Sequence, residues 1–201
     1  MATRMPDLRT ARLTIRAFTG EDLAAVHRLL DVELGFQPGA DPPLSFEQRR
    51  AWLEWTVMGY EQLALLFQPP YGDRAIALGR DGPLIGACGF VPSLGPFEQL
   101  PSFAARVGAA GPQRFTPEVG LFWALASAHR GRGYATEAAR ALVDYGFARL
   151  GLDRLVATTE RENAASQAVM RRLGMTIEAN PLPHPEWFQV VGVLRNPAGA
   201  A

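Results

Sequence analysis

One stretch decides the fold of this chain: EVGLFWALASAHRGRGYATEAARALVDYGFARL, residues 118–150. Its first part, residues 119–126, is apolar and carries no charge, which is typical of a strand covered on both faces. From Ala135 onward apolar residues recur at steps of three and four, which predicts an amphipathic helix. Gly151 follows and is expected to end that helix in the left-handed conformation. The stretch therefore predicts a strand, a glycine-rich turn and a long helix.

The turn, residues 130–135 (RGRGYA), has the properties of an anion-binding site. Gly131 and Gly133 let the backbone approach a ligand closely. The first amides of a helix lack partners within the helix, and the helix dipole adds positive potential there. Phosphate is the ligand that this arrangement favours. The same glycines would also suit a tight strand-to-helix connection without a ligand, so the turn alone leaves both interpretations open.

Two common phosphate-binding motifs are excluded. The dinucleotide fingerprint requires a third glycine three residues after the second, where this chain has Thr136. The nucleoside-triphosphate loop requires a Gly-Lys pair, and the sequence contains no lysine.

What remains is Arg130-x-x-Gly133-x-Ala135, which resembles the [Arg/Gln]-x-x-Gly-x-[Gly/Ala] signature with which GNAT acetyltransferases bind acyl-CoA. The resemblance extends along the chain to the RimJ/RimL-like branch of that superfamily. It includes the opening LRTARLTIR at residues 8–16, LGL at 150–152, Asn163-x-x-Ser166, and LGM at 173–175. It implies an α+β (mixed α/β) fold with a mostly antiparallel central sheet and helices on both faces. We expect a single acetyltransferase domain over residues 1–201, with loose ends at 1–7 and 196–201.

The resemblance implies transfer of an acetyl group from acetyl-CoA to a primary amine by direct attack. The acceptor would be a protein N-terminal α-amine or a small-molecule amine. The alternative is a non-catalytic acyl-CoA-binding module with the same fold. This alternative stays open because Met170 stands where many members of the superfamily carry a tyrosine that protonates the leaving thiolate.

The resemblance also implies which residues bind the cofactor. The turn would hold the pyrophosphate, and the preceding strand end would pair with the pantetheine arm through its main chain. Asn163 would open a later helix and face the cofactor. The resulting set is Trp123, Ala124, Leu125, Arg130, Gly131, Arg132, Gly133, Tyr134, Ala135 and Asn163. Arg132 occupies a variable motif position, so a solvated side chain is the alternative there.

Two residues are the catalytic candidates. Glu118 begins the central strand, where the resembled superfamily often places a carboxylate that accepts a proton directly or through water. A solvated strand-start residue is the alternative, and Glu160 is the second candidate for the base. Ser166 would hydrogen-bond the sulfur, or would simply satisfy a backbone amide early in its helix. Glu137 is interpreted as a charge on the helix surface.

The amino-acid composition limits the partners that this chain is expected to bind. Twenty basic residues balance twenty acidic ones, so no net charge favours nucleic acid or an anionic membrane. The single Cys88 excludes an internal disulfide and a multi-cysteine metal site, and no metal is expected. With no signal-peptide pattern and no apolar run of about 18 residues, we expect a cytoplasmic protein away from membranes. A homodimer is possible.

The rest of the chain predicts further elements. Strands are expected at 8–16 and 154–159, and a hairpin at 74–78 and 84–91. Helices are expected after Thr19, after Ser45 and after Asn163, the last of them closed by Gly174. The aromatic residues after Ser45 are interpreted mainly as core, with an acceptor slot as the alternative. The acceptor pocket is expected from residues 35–71 and from a long loop at 92–117.

Overall fold

The computed structural model describes residues 4–35, 43–106, 115–181 and 186–199. Within these ranges the chain forms eight strands and four α-helices. In order they are β1 (Leu8–Arg9), β2 (Leu13–Arg16), α1 (Leu23–His27), α2 (Phe46–Leu65), β3 (Gly72–Leu78), β4 (Leu84–Gly95), β5 (Thr116–Leu125), α3 (Tyr134–Ala148), β6 (Arg154–Thr159), α4 (Ala164–Leu173), β7 (Thr176–Ala179) and β8 (Val190–Arg195). A π-helical segment, Arg28–Glu33, continues α1.

The strands form one sheet in the order β1-β2-β3-β4-β5-β6-β8-β7. Strands β1 to β4 pair antiparallel with their sequence neighbours, and β8 pairs antiparallel with both β6 and β7. Strand β5 instead runs parallel to β6, with Gly120 opposite Val156. The predicted mixed, mostly antiparallel sheet is confirmed.

The helices begin and end at or near the predicted capping residues. Ser45 and Gln48 form a capping box at the start of α2, because each side chain binds the other residue's backbone N–H. The side chain of Asn163 caps α4, and Gly174 ends it in the left-handed conformation at φ 86°. Gly151 has φ 64° three residues after α3 ends. These boundaries rest on local backbone chemistry, which is why the sequence reveals them.

Two predicted segments differ from the structure. Residues 8–16 form a tight hairpin with Leu8 opposite Ile15, and not one strand, because the chain reverses at residues 10–12. The loop predicted at 92–117 is shorter, because β4 continues to Gly95, a 3-10 helix covers Pro101–Arg106 and β5 begins at Thr116. Residues 107–114 of that loop lie outside the described part of the chain.

The chain divides into two compact units, and each has its own core. The first comprises Met1–Phe90 with Phe122–Leu142, and the second comprises Val91–Leu121 with Val143–Ala201. In the first unit, the buried core residues are Phe18, Val26, Leu29, Leu30, Leu53, Ala75 and Ala87. In the second unit they are Phe97, Leu100, Phe103, Val156, Phe188, Val191 and Val193.

The ends predicted to be loose are held at two points. Met5 is buried, and its carbonyl accepts a hydrogen bond from Arg74 at 3.1 Å. Asn196 donates from its backbone to the Asp153 carbonyl at 2.8 Å and from its side chain to the Leu152 carbonyl at 3.0 Å. Both contacts join residues distant in sequence, so local composition did not reveal them.

Candidate active site

The predicted anion-binding turn has the backbone that such a site needs. Gly131 and Gly133 both have positive φ, at 71° and 80°, a conformation that side chains with a Cβ disfavour. The residues from Arg130 to Gly133 are exposed, so their main chain is accessible to a ligand. The glycines are therefore required by the conformation of the turn, and no Cβ covers its surface at these two positions.

The turn leads directly into the first turn of α3. The Gly133 carbonyl accepts the first helical hydrogen bond, from the Glu137 amide at 3.0 Å. The amides from Gly133 to Thr136 consequently have no acceptor within the helix. With the helix dipole, these amides make the turn suited to bind a pyrophosphate.

The two arginines of the turn have different surroundings. Arg130 folds back so that its Nε donates to the Leu125 carbonyl at 3.1 Å, which ties the turn to the end of β5. The Arg132 side chain is exposed, as the alternative reading expected, while its carbonyl accepts a bond from Arg12. The role of either guanidinium toward phosphate stays a prediction.

The end of β5 lies close to β4 within the first unit. A Cβ built on Gly86 would lie 2.4 Å from the Ala124 carbonyl oxygen, so glycine is needed at that position. The Ala126 amide donates to the Ile85 carbonyl at 2.9 Å. The predicted pairing of Trp123, Ala124 and Leu125 with a pantetheine arm remains a prediction.

Glu137 is not the surface charge that its sequence position indicated. Its carboxylate accepts hydrogen bonds from the Thr10 hydroxyl at 2.5 Å, the Arg12 amide at 3.0 Å and the Arg12 Nε at 2.7 Å. Burial opposes ionisation of this group, but the bonds from Thr10 and Arg12 outweigh it and lower the pKa of Glu137. Sequence reasoning missed this group because its partners lie more than 120 residues away.

The remaining cofactor candidate, Asn163, lies in the second unit. Its Oδ1 accepts the Ser166 amide at 3.0 Å, so the capping of α4 is done by Asn163 and not by the Ser166 hydroxyl. Met170 is fully buried, and its side chain packs where Gly192 of β8 has no Cβ. Met170 is thus a core residue.

Glu118 is buried and paired. Its carboxylate accepts from Arg154 Nε at 2.7 Å and also from the Nη2 of the same guanidinium, a bidentate ion pair. The side chains of Glu118 and Arg154 are 5% and 28% exposed. The hydrogen bond to Glu118 raises the pKa of Arg154. Glu118 is therefore not a solvated strand-start residue, whereas Glu160, the second candidate for the base, is exposed.

The pair follows from strand register. Gly120 lies opposite Val156 in the parallel pairing of β5 and β6. The same offset of 36 residues relates Glu118 to Arg154, so the two side chains are cross-strand neighbours. The Arg154 guanidinium also lies 4.7 Å from the centroid of the Phe103 ring, on the 3-10 helix after β4.

The aromatic residues of α2 are only partly core. Leu53 and Tyr60 are buried, but Trp55 and Met58 are 68% and 59% exposed. The interpretation of most of these side chains as core therefore does not extend to Trp55 and Met58. Their possible contribution to an acceptor slot stays a prediction, and residues 36–42 before α2 lie outside the described chain.

In residues 4–35, 43–106, 115–181 and 186–199, no three His, Cys, Asp or Glu side chains cluster as metal ligands would. Among the helices of the same described ranges, none combines the length and apolar character needed to span a bilayer.

This chain is similar to proteins that are named N-acetyltransferases. The uncharacterized N-acetyltransferase YnaD of Bacillus subtilis is 41% identical over 63 residues, which are 31% of this chain and 36% of YnaD. The uncharacterized protein YkkB of the same organism is 28% identical over 83% of each chain. Spermidine N(1)-acetyltransferase of Escherichia coli is 37% identical over 34% of this chain and 35% of its own. The chain thus spans about a third of YnaD and of the spermidine enzyme.

Solved structures share the fold. An acetyltransferase (GNAT family) from Bacillus anthracis has a TM-score of 0.67 at 21% identity, covering 94% of this chain and 98% of that one. RimL, a ribosomal L7/L12 α-N-protein acetyltransferase solved in complex with coenzyme A, has a TM-score of 0.64 at 17% identity, with coverage of 94% and 97%.

The family model for the acetyltransferase (GNAT) domain matches residues 12–176, which include the turn, the start of α3, Glu118 and Asn163. GNAT acetyltransferases use acetyl-CoA. This chain therefore belongs to the GNAT acetyltransferase family.

Proposed function

We propose that this protein is an N-acetyltransferase that moves an acetyl group from acetyl-CoA to a primary amine. The observation that carries the proposal is the exposed turn at Gly131 and Gly133, whose positive-φ backbone leads into the unpartnered amides of α3. The resemblance of this turn to the GNAT acyl-CoA signature implies that it binds the pyrophosphate of the acetyl donor.

The chain's own residues bind and orient the donor in this proposal. The amides of Gly131, Gly133, Tyr134 and Ala135 hold the pyrophosphate, and Arg130 and Arg132 add positive charge beside it. The main chain of Trp123, Ala124 and Leu125 pairs with the amide-bearing pantetheine arm. Asn163 contacts the donor in addition to capping α4. Acetyl-CoA supplies the activated thioester, and the amine nitrogen displaces the thiolate of coenzyme A.

Glu118 is the proposed general base. It accepts the proton that the attacking amine loses, directly or through a water molecule. Arg154 holds the Glu118 carboxylate in a fixed position through two hydrogen bonds from one guanidinium. The bidentate pair leaves lone pairs on both carboxylate oxygens, since each oxygen has two acceptor sites.

Ser166 is the proposed partner of the leaving thiolate. Its hydroxyl lies in the first turn of α4, where the orphan amides and the dipole favour negative charge. Because Asn163 already accepts the Ser166 amide, the Ser166 hydroxyl is not needed to cap the helix. Its hydrogen bond would stabilise the thiolate until a proton arrives.

The acceptor class is a protein N-terminal α-amine or a small-molecule amine. RimL acts on a ribosomal protein and the spermidine enzyme acts on a polyamine, so the named relatives support both classes. A neutral net charge gives a strongly basic or acidic acceptor no general advantage.

A thiol-release assay with acetyl-CoA and an amine panel tests the proposal. The panel contains short peptides with a free N-terminus, the same peptides blocked by acetylation, and a polyamine. We expect coenzyme A release with at least one free amine and background release with every blocked peptide. Coenzyme A binding without amine-dependent release from any member would favour the non-catalytic acyl-CoA-binding module.

A further inference from the structure

The hairpin at the start of the chain reaches the proposed phosphate turn. Thr10 and Arg12, in the connection between β1 and β2, both bind Glu137 in the first turn of α3. These three residues are called the clasp below. Arg12 also donates from Nη1 to the Arg132 carbonyl at 3.0 Å, and its guanidinium lies 4.5 Å from the centroid of the Tyr134 ring. Arg12 therefore touches both the turn and the helix that follows it.

The bond to the Arg132 carbonyl sets the direction of an amide. A trans peptide group is planar, so the Arg132 carbonyl and the Gly133 N–H point in opposite directions. Holding that carbonyl toward Arg12 directs the Gly133 N–H away from Arg12. Glycine adopts positive and negative φ almost equally well, so a flip of this peptide would otherwise cost little. The Arg12 contact opposes the flip.

The clasp also neutralises a charge. Glu137 lies in the turn of α3 that presents its free amides, where an unpaired carboxylate would repel a phosphate group. Arg12 Nη2 lies 2.6 Å from the Glu137 carboxylate, whose side chain is only 17% exposed. The guanidinium serves both tasks because its donors form a planar fork, which a lysine ammonium cannot reproduce.

We propose that Arg12 and Glu137 are positioning residues for acyl-CoA: they hold the 132–133 peptide with the Gly133 amide turned toward the pyrophosphate. The inference rests on the proposed function, because it assigns the turn to the donor's phosphates. It gives the TARL segment at residues 10–13 a task in donor binding, although this segment lies more than 100 residues before the turn.

Direct binding of coenzyme A by calorimetry tests the clasp. The variants are Arg12→Ala, Arg12→Lys and Glu137→Gln, each measured well below its own unfolding temperature. We expect Kd to rise about tenfold in Arg12→Ala, the effect of misplacing one hydrogen bond to a charged ligand. Arg12→Lys should lose nearly as much, because it keeps the charge without the fork. At saturating acetyl-CoA, kcat with an accepted amine should stay unchanged while KM for acetyl-CoA rises.

Arg9→Ala is the matched control, since it removes the same charge from an exposed position of the same hairpin. Its Kd should stay within about twofold of wild type, as expected for a solvent-exposed charge without a positioning role. Wild-type Kd in both Arg12→Ala and Arg12→Lys would overturn the clasp and leave the proposed function standing. If Arg12→Lys kept the wild-type Kd while Arg12→Ala did not, the positive charge and not the planar fork would explain the binding. This result would also overturn the clasp. Failure of the wild-type protein to bind coenzyme A would instead overturn the proposed function, and the clasp's role with it.

Discussion

Each of the two compact units contains an arginine–carboxylate pair that involves a candidate residue, and the two pairs differ in how they are built. The Arg12–Glu137 pair joins a surface hairpin to the start of α3, with the two side chains 46% and 17% exposed. The Arg154–Glu118 pair joins neighbouring strands and is more deeply buried, at 28% and 5%. The first pair lies beside exposed backbone amides, and the second fixes a carboxylate in a strand.

The difference in exposure indicates that the two ion pairs have different roles. A pair whose arginine is 46% exposed contributes less to stability than a buried pair, so the many contacts of Arg12 are better explained by the geometry that they give the turn. A buried bidentate pair is costly to break, because either remaining charge is left without a partner. We therefore expect stability to depend strongly on Glu118 and Arg154, and donor binding to depend strongly on Arg12 and Glu137.

The largest expected effect concerns the turn itself. Gly133→Glu should abolish measurable coenzyme A binding, because it adds a Cβ, backbone strain and a negative charge where the pyrophosphate is expected. Loss of more than about a hundredfold in Kd by calorimetry is the predicted result.

Gly151→Glu is its control. Gly151 has a similar positive φ of 64° and open space around it, so this variant introduces comparable strain and the same charge outside the turn. Coenzyme A affinity in Gly133→Glu equal to that in Gly151→Glu would remove the turn from the site.

The second-largest expected effect distinguishes a catalytic role of Glu118 from a purely structural one. Glu118→Gln and Arg154→Met both break the same ion pair, so both should lower Tm. Only Glu118→Gln removes the proposed base, and its kcat should fall about a hundredfold or more, as loss of general base catalysis does. Steady-state kinetics with thermal unfolding measures both effects. Equal losses of kcat in the two variants would assign the pair a structural role only.

A smaller effect follows from the pKa of Glu137, which the bonds from Thr10 and Arg12 lower against the opposing effect of burial. A carboxyl whose folded pKa is depressed stabilises the protein above its unfolded pKa, and this contribution disappears as pH falls through the folded value. The Tm difference between wild type and Glu137→Gln should thus be constant above about pH 5 and shrink in more acidic solution. A difference that grows on acidification would contradict the clasp's ion pair.

The smallest effect distinguishes the two roles of Asn163. Asn163→Asp keeps an N-cap acceptor, so Tm should stay nearly unchanged, while Asn163→Ala should lose about 1 kcal/mol of stability. If Asn163 also contacts the donor, the added charge in Asn163→Asp should raise KM for acetyl-CoA severalfold. Unchanged KM in Asn163→Asp would limit Asn163 to capping.

The contrast between contacts within a few residues and contacts between distant residues explains which features the sequence could predict. The turn was recognisable because its glycines, the following helix and the free amides depend on neighbours within a few residues. Strand β6, predicted at 154–159, has those bounds in the structure, and Gly174 ends α4 as predicted. Residues 8–16 were misinterpreted as one strand, since alternation alone does not reveal a reversal at residues 10–12.

Glu137 and Glu118 show where sequence reasoning stops. The sequence indicated a surface charge for Glu137, and a catalytic base or a solvated strand-start residue for Glu118. It could not indicate their ion pairs, because a sequence gives residue types without their partners. The partner of Glu137 is 125 residues away and that of Glu118 is 36 residues away. Strand register decides the second pair, and a one-residue slip would place its side chains on opposite faces.

The sequence by itself determined the local features of this protein: the glycine-rich turn, the helix caps, most of the order of strands and helices, and the GNAT signature. These follow from backbone conformation and short-range hydrogen bonds. Only the tertiary structure decided which charged residues pair with each other. It joined Arg12 to Glu137 and Arg154 to Glu118, because contacts between distant residues depend on how hairpin, strands and helix pack.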